Sequence, residues 1–255
     1  MNPREDAWID IRTCDELEVC LADRSRPLHA DQAKVVIGDI ADGLPGFEVE
    51  GYFHQCPDAF REFDQIAVVR ESGTGRHVAL SGLQWIAANG EPVLYIRVGF
   101  TAQSYHGTHA TALAHMGAIS RALEERSCRW VAAKSNNPNV HSIFLSCAAL
   151  VAGTCAYPRI SSGAQQPACA STAAALATVL CPDTEFQVES GAIVGGQAVT
   201  YANLFPEPQR SRNEELNQYF DKHVRPADQL LSLFYIPSRV LPRFKHFVHH
   251  VLEVK

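Results

Sequence analysis

The sequence predicts an α/β (α+β) chain in which helices flank a mixed, mostly antiparallel twisted sheet, with an extended C-terminal region. The first observation is a run of three apolar segments rich in β-branched and aromatic residues, at 65–70, 76–87 and 93–100. Short turns separate them, and the second turn carries the dipeptide Asn89-Gly90, which is typical of a hairpin. Strands joined by such turns pair antiparallel, so these segments predict a three-stranded meander.

The second observation is a change of period after the third strand. Residues 101–109 are small, polar and interrupted by Gly107, whereas residues 110–125 repeat apolar side chains at the spacing of a helix. A short strand is predicted at 130–133, so the step from strand through helix to strand should be a right-handed crossover with the two strands parallel. The expected buried stripe of the long helix is Leu113, Met116, Ile119 and Leu123.

The N-terminal segment predicts smaller elements. Alternating apolar and polar residues at 8–12 indicate an edge or half-buried strand. Thr13 and Glu16 have the spacing of a capping box, so we expect a helix to follow, with Leu17 and Leu21 on one face. A short helix is predicted at 31–40, a loop at 43–46 and a helical turn at 57–63. The inward residues of the helix at 31–40 are expected to be Val35, Val36 and Ile40.

After the crossover, asparagines at 136–139 favour a helix that begins near Asn139. Its expected inward stripe is Ile143, Leu145, Ala149 and Leu150. Further strands are predicted at 157–160, 193–204 and 230–236, helices at 170–180, 213–223 and 239–254, a loop at 161–167 and a linker at 206–212. The last helix is expected to bury Val240, Phe244, Phe247, Val248 and Val251. We expect an N-terminal core over residues 1–160 and a C-terminal extension over 161–255.

Composition narrows the class of protein. With 255 residues, 46% hydrophobic and 20% charged, the chain is typical of a soluble globular protein. A net charge of -6 without a Lys/Arg block argues against a nucleic-acid partner, and the apolar runs at 143–152 and 170–181 are too short to cross a membrane. The polar N-terminus predicts no signal peptide. Eight cysteines without a CxxC pair predict no zinc site and a reduced, cytoplasmic protein.

The turn at 101–109 is the candidate binding site for an anion. A strand that enters a helix through a glycine-containing turn leaves several backbone N–H groups unpaired, and the helix dipole adds positive potential. Residues 65–160 resemble the core of the GCN5-related N-acetyltransferase (GNAT) superfamily, which has a meander, a splayed strand, a pyrophosphate-binding turn, a long helix, a parallel strand and a shorter helix. Tyr105-His106-Gly107 resembles the family's Tyr-Arg-Gly, Ala112-Leu113 its Ala-Leu, and Asn139 with Ser142 its Asn-x-x-Ala/Ser.

The sequence also departs from the family pattern. Thr108 and His109 stand where the family prefers glycine, and His106 replaces the usual arginine. The segment from Gly107 to the next leucine is one residue shorter than the common form. Ser146 stands where many members place the tyrosine that protonates the leaving thiolate.

The resemblance implies an acyltransferase that moves an acyl group, acetyl in the simplest case, from a coenzyme A thioester to an amine of a small molecule. Acetyl-CoA or another acyl-CoA is the implied co-substrate. The implied cofactor-binding residues are Val98, Gly99, Phe100, His106, Gly107, Thr108, His109, Ala110, Thr111, Asn139 and Ser142, with Gly99 suited to a bulge. The candidate catalytic residues are Tyr95, Ser146 and Tyr157.

Several alternatives stay open at this point. The donor could be an acyl carrier protein, or the chain could be a GNAT-fold binding protein without catalysis. Cys147 with His141 as base could form a nucleophilic pair, although residues six apart on a helix do not face each other. His106, His109 and His115 could be taken for a metal cluster, but no carboxylate accompanies them and no metal is expected. A homodimer is possible, and the acceptor is not identified.

Overall fold

The computed structural model describes residues 8, 10–161, 164–196 and 209–253. The chain divides into two compact units that are interleaved along the sequence. The first unit comprises residues 1–84, 96–127 and 245–255, and the second comprises 85–95 and 128–244. The division predicted near residue 160 stays a prediction. Both compact units contain residues on each side of that position.

The first half of the described chain runs β1 (Asp10–Cys14), β2 (Leu17–Asp23), α1 (Ala30–Asp42), α2 (Val49–Gln55), α3 (Ala59–Glu62), β3 (Gln65–Glu71), β4 (His77–Ala88), β5 (Glu91–Thr101) and α4 (Ala110–Glu125). It continues through β6 (Trp130–Ser135), α5 (Pro138–Leu150), β7 (Cys155–Tyr157), α6 (Pro167–Leu180), β8 (Phe186–Gln187), β9 (Ala192–Ile193), α7 (Glu214–His223), β10 (Gln229–Tyr235) and α8 (Leu241–Glu253). A single 3-10 turn, Gln103–Tyr105, follows β5.

The sheet has the mixed α/β character that the sequence predicts. Strands of the first unit follow the order β1-β2-β3-β4-β5, and those of the second follow β5-β6-β10-β9-β8, with β7 also on β10. The pairs β1–β2, β2–β3, β3–β4, β6–β10, β7–β10, β9–β10 and β8–β9 are all antiparallel. The predicted fold class, a mostly antiparallel sheet with flanking helices, is confirmed.

The N-terminal helix predicted after Thr13 is wrong, because residues 10–23 form a β-hairpin. Asp15 takes the positive φ of 55° that a tight turn requires, and β2 then pairs with β3 from Leu17 to Asp23. Leu17 and Leu21 are four apart, a spacing that fits one helix face and also one strand face. The pairing partners β1 and β3 decide between the two, and no local signal contains that information.

The meander and the long helix of the first unit agree with the sequence. Helix α4 begins and ends where predicted, and all four residues of its expected stripe are buried. It packs against β2 and β3 at Gly117, where a Cβ would lie 2.8 Å from Cγ1 of Val19. Helix α1 buries Val36 and Ile40, but Val35 is 42% exposed, so its predicted inward position is wrong.

The second unit is organised around β10, whose residues are buried on both faces of the strand. Leu231 and Leu233 belong to an apolar cluster with Ala173 and Leu176 of α6. The alternate residue Ser232 instead contacts His141 of α5. Because successive strand side chains point to opposite faces, α5 and α6 cover opposite faces of β10.

The predicted stripe of α5 is wrong. The helix buries Pro138, His141, Phe144 and Cys147, whereas Leu150 is 70% exposed. The sequence pattern misled here because the buried face includes a histidine, whose polar nitrogens find partners only in the folded core.

The remaining second-half elements agree in part. Helices α6, α7 and α8 and strand β10 lie where predicted. Strand β7 is Cys155–Tyr157 rather than 157–160, and of the strand predicted at 193–204 only Ile193 lies in β9. Residues 197–204 of that segment and residues 206–208 of the linker predicted at 206–212 fall outside the described residues. In α8 and just before it, Val240, Phe244 and Val248 are buried, while Phe247 and Val251 are partly exposed.

Within the described ranges, no helix has both the length and the apolar character needed to cross a bilayer.

Candidate functional site

The turn between β5 and α4 lies wholly within the first unit. After the 3-10 turn, the chain passes through Gly107 with φ 84° and enters α4 with His109 as N-cap. An L-residue is strained at this φ, so the glycine is what allows the chain to change direction here. Residues 106–109 are exposed. The turn therefore presents its backbone to solvent at the positive end of a 16-residue helix.

Hydrogen bonds to other segments anchor the turn to the rest of the unit. The Tyr105 hydroxyl donates to Oε1 of Glu71 at 2.5 Å, and the Gln103 amide donates to the carbonyl of Gly43 at 2.7 Å. Hydrogen bonds from Thr74 and Tyr105 lower the pKa of Glu71, and the same carboxylate raises the pKa of Tyr105 to about 12. Glu71 is thus a charged acceptor that fixes Tyr105 and, through it, the start of the turn.

The backbone amides of the turn divide into two groups. The amides of His106 and Thr108 donate to carbonyls within the turn, and the Ala110 amide donates to the Thr108 hydroxyl at 3.2 Å. The other amides have no hydrogen-bond partner among the residues that the structure describes. They are those of Gly107, His109, Thr111 and Ala112. Unpaired N–H groups at a helix N-terminus are the donor set that binds phosphate oxygens.

The polar side chains of the turn mainly stabilise it from within. Nε2 of His106 donates to the Thr101 carbonyl at 2.9 Å, and the Thr108 hydroxyl donates to the Tyr105 carbonyl at 2.8 Å. The hydroxyls of Thr111 and Thr101 lie 2.8 Å apart. These side chains hold the loop conformation, so the free backbone amides rather than the hydroxyls are the donors left for a ligand.

The strand residues next to the turn are held by close packing. Phe100 packs with Tyr52 and Phe53 at ring-centroid distances of 6.0 and 6.1 Å, and Val98 is buried. Gly99 is exposed, and a Cβ there would lie 2.6 Å from Cε1 of His115. The glycine therefore makes room for a histidine, a role that the sequence alone did not indicate.

His115 is a residue whose role the sequence analysis missed. It is buried in α4, and its Nδ1 lies 2.9 Å from the Ser81 hydroxyl. Burial lowers the pKa of His115 to about 4, so the ring is neutral at pH 7. The metal interpretation of His106, His109 and His115 receives no support, since no three His, Cys, Asp or Glu side chains of the described part form such a group. Two features of the sequence could have indicated this pair: a histidine within the apolar helix α4, and a serine within the apolar strand β4.

The other predicted site residues lie in the second unit, where most already have partners. The Tyr157 hydroxyl donates to the Val188 carbonyl at 2.5 Å, and burial raises the pKa of Tyr157. Tyr95 is buried in the apolar cluster around β10. The hydroxyls of Ser142 and Ser146 donate to carbonyls of their own helix. The Asn139 side chain donates to the Arg210 carbonyl at 3.1 Å.

The nucleophilic pair of Cys147 and His141 has no geometric basis. Nδ1 of His141 lies 2.9 Å from the Ser232 hydroxyl, and its Nε2 lies 3.1 Å from the Pro158 carbonyl, so both ring nitrogens are used. Since a carbonyl only accepts, Nε2 carries the proton and Nδ1 accepts from Ser232. Burial lowers the pKa of His141 to about 4 and raises that of Cys147 to about 11. His141 therefore belongs to a buried hydrogen-bond network in which both of its ring nitrogens have partners.

The second unit contains a pocket of about 340 Å³. It is formed by α5, β7, the segment after β7 and the start of α6. Polar and thiol groups in its lining include Arg159, Gln165, Gln166, Cys155 and Cys169. The sequence gives no signal for this pocket, because its walls come from segments without a shared motif.

Comparisons with known proteins give matches among solved structures. No protein-family model matches the chain, and no curated protein matches its sequence. Among solved structures, the chain matches AtaTR bound with AcCoA at 16% identity and a TM-score of 0.39, over 52% of this chain and 83% of that one.

Two further matches cover less of the compared proteins. A GCN5-related N-acetyltransferase from Kribbella flavida matches at 13% identity and a TM-score of 0.36, over 51% of this chain and 33% of that one. Saccharomyces cerevisiae N-myristoyltransferase with bound myristoyl-CoA matches at 15% identity and a TM-score of 0.35, over 53% and 35%. The present chain thus spans about a third of these two proteins. The order of elements from β3 to α5 is the order that the resemblance to the GNAT superfamily implies.

Proposed function

We propose that this chain is a GNAT-like acyltransferase that binds an acyl-CoA and transfers its acyl group to an amine. The observation that carries the proposal is the set of unpaired amides at Gly107, His109, Thr111 and Ala112 on an exposed, anchored turn. A diphosphate offers several anionic oxygens to such a set, and charge-assisted hydrogen bonds of this type contribute about 1.5–3 kcal/mol each.

The turn is preorganised for this role. Tyr105 and the glycine at φ 84° fix the loop before any ligand arrives, so little conformational entropy is lost on binding. The dipole of α4, about 24 Å long by its residue count, adds positive potential at the same point. Arg76 adds a full positive charge near Glu71 and Tyr105, where it is the smallest of the effects that act on their pKa values. This arginine is a candidate for the charge that the family's arginine would provide at His106.

The chemistry that follows requires a free amine as nucleophile, a donor for the tetrahedral oxyanion and a proton for the thiolate. Tyr95, Ser146 and Tyr157 stay the proposed catalytic residues. Of the three, Ser146 is the exposed one. For Tyr157 to donate a proton, its hydroxyl would have to leave the Val188 carbonyl. We propose a small-molecule amine as acceptor.

Calorimetry with matched ligands tests the proposal. Acetyl-CoA and acetyl-pantetheine share the acyl arm, but only acetyl-CoA carries the diphosphate. We expect acetyl-CoA to bind and acetyl-pantetheine to bind at least about tenfold more weakly, because the turn amides contact only the former. Equal affinities for acetyl-CoA and acetyl-pantetheine would show that the turn does not bind the diphosphate. Binding of an acylated carrier protein in preference to acetyl-CoA would favour the carrier-protein alternative, since its prosthetic arm has a single phosphate.

A non-catalytic binding protein is the second candidate. The observation that favours it is that Tyr157, Asn139, His141 and the Ser142 hydroxyl all have intramolecular partners. Release of free CoA thiol, followed with a thiol reagent in the presence of a panel of small amines and peptide N-termini, separates the two. Acceptor-dependent release supports the transferase. Tight acetyl-CoA binding without release under any acceptor supports the binding protein.

A further inference from the structure

The pocket of the second unit contains two cysteines that come together from different elements. Cys155 is the first residue of β7, and Cys169 lies in the first turn of α6. Their sulfur atoms are 3.6 Å apart, although the residues are fourteen positions apart in the sequence. Both line the same pocket of about 340 Å³. No disulfide joins them in this structure, where both are free thiols.

The two thiols have different surroundings. Cys169 is buried, whereas Cys155 is partly exposed at the pocket. The thiol of Cys155 donates to Oε1 of Gln166 at 3.2 Å, and that of Cys169 reaches the same oxygen at 3.8 Å. A Cys155 thiolate would instead accept from Cys169, and a half-turn of the Gln166 amide would offer it an N–H. The site can therefore hold a negative sulfur at Cys155 beside a protonated Cys169.

The pKa shifts of the two thiols also favour a thiolate at Cys155 rather than at Cys169. The hydrogen bond from Cys169 is the largest effect and lowers the pKa of Cys155; burial opposes it, and the charge of Arg159 makes a smaller contribution that also lowers the pKa. The same hydrogen bond raises the pKa of Cys169. Arg159 lines the pocket, and its backbone amide donates to Oε1 of Gln165 at 2.9 Å. A partly exposed thiol whose pKa is lowered, beside a second thiol, is the arrangement of an attacking and a resolving cysteine.

We propose that Cys155 and Cys169 form a thiol–disulfide exchange site that takes a low-molecular-weight disulfide in this pocket. The Cys155 thiolate attacks one sulfur of the disulfide, forms a mixed disulfide and releases one thiolate. Cys169 then loses its proton, attacks the sulfur of Cys155 and releases the second thiolate, which is protonated by solvent. The two protein thiols are oxidised to one disulfide, and the ligand disulfide is reduced to two thiols.

Oxidised glutathione is a suitable probe on the intact native chain, followed by alkylation and peptide mass mapping. In the wild type we expect a disulfide between Cys155 and Cys169 and a mass loss of two hydrogen atoms. In Cys169→Ala we expect glutathione to remain bound at Cys155, because the resolving thiol is gone. In Cys155→Ser we expect no glutathione on Cys169. Cys56→Ser, which removes a partly exposed cysteine of the first unit, should form the disulfide as the wild type does.

Two results of the glutathione experiment would overturn the proposal. The first is a Cys169→Ala protein in which glutathione does not accumulate at Cys155. The second is a wild-type disulfide that forms only after denaturation. Because a variant could unfold, the alkylation rates of native wild-type protein provide a second measurement. Cys155 should react at least about tenfold faster than buried Cys147, and equal rates would contradict the proposal.

Discussion

The substitution Gly107→Ala tests the role of the turn most directly. Gly107 has φ 84°, where an L-residue costs about 1–2 kcal/mol relative to glycine. A turn carrying alanine can relieve this strain by moving away from the observed conformation, and binding must then restore it. The dissociation constant for acetyl-CoA should rise by a factor that corresponds to that energy, about five- to thirtyfold.

Gly90→Ala is the matched control. Gly90 has φ 75° in the exposed turn between β4 and β5, and a Cβ there would meet no atom within 4 Å. Each variant should therefore lose at most this strain energy, about 1–2 kcal/mol, in free energy of unfolding, and only Gly107→Ala should lose affinity. Calorimetry for binding and urea unfolding for stability separate the two effects. The reasoning is refuted if Gly107→Ala binds acetyl-CoA like the wild type, or if Gly90→Ala weakens binding to the same degree.

Three further predictions concern stability. Gly99→Ala should destabilise the protein by about 1–3 kcal/mol in urea unfolding, because the added Cβ would lie 2.6 Å from His115; if His115→Ala does not reduce this cost in the double variant, the packing explanation is wrong. Tyr105→Phe should cost about 1 kcal/mol by removing the hydrogen bond to Glu71, and an unchanged urea midpoint would show that this bond does not anchor the turn. His141 has a pKa lowered from 6.5 to about 4 in the folded state, so the unfolded chain takes up a proton first and stability is lost as the pH falls from about 6.5 towards 4. His141→Gln should reduce this loss by about 1.4 kcal/mol per pH unit in urea unfolding at pH 7 and pH 5, and an identical pH slope in both proteins would contradict the assignment.

Local pattern was sufficient where the stabilising interactions lie within one segment. The bounds of α4 follow from its apolar period and from the glycine before it, and the meander follows from its turns. The positive φ of Gly107 and Gly90 agrees with the turns expected there. The anion site at this strand–turn–helix corner stays a proposal, and four amides of the corner have no hydrogen-bond partner among the residues that the structure describes.

The site residues were harder to assign from the sequence, because a side chain's partners come from distant segments. Asn139 stays a proposed cofactor-binding residue and Tyr157 a proposed catalytic residue, and in the structure their side chains donate to the carbonyls of Arg210 and Val188. The bulge expected at Gly99 stays a prediction, and the structure adds that this glycine makes room for His115. A residue type that suits one role in a motif also suits other roles, and only the neighbours distinguish them.

The sequence by itself determined the element order from β3 to α5, the turn before α4 and the separation of apolar from polar segments, because these depend on backbone preference and on period within about fifteen residues. Only the tertiary structure decided that residues 10–23 are a hairpin, that α5 buries His141, and that Cys155 meets Cys169. Each of those outcomes depends on a partner far away in the chain: strand pairing for the hairpin, Ser232 for the histidine, and the packing of β7 near α6 for the two thiols.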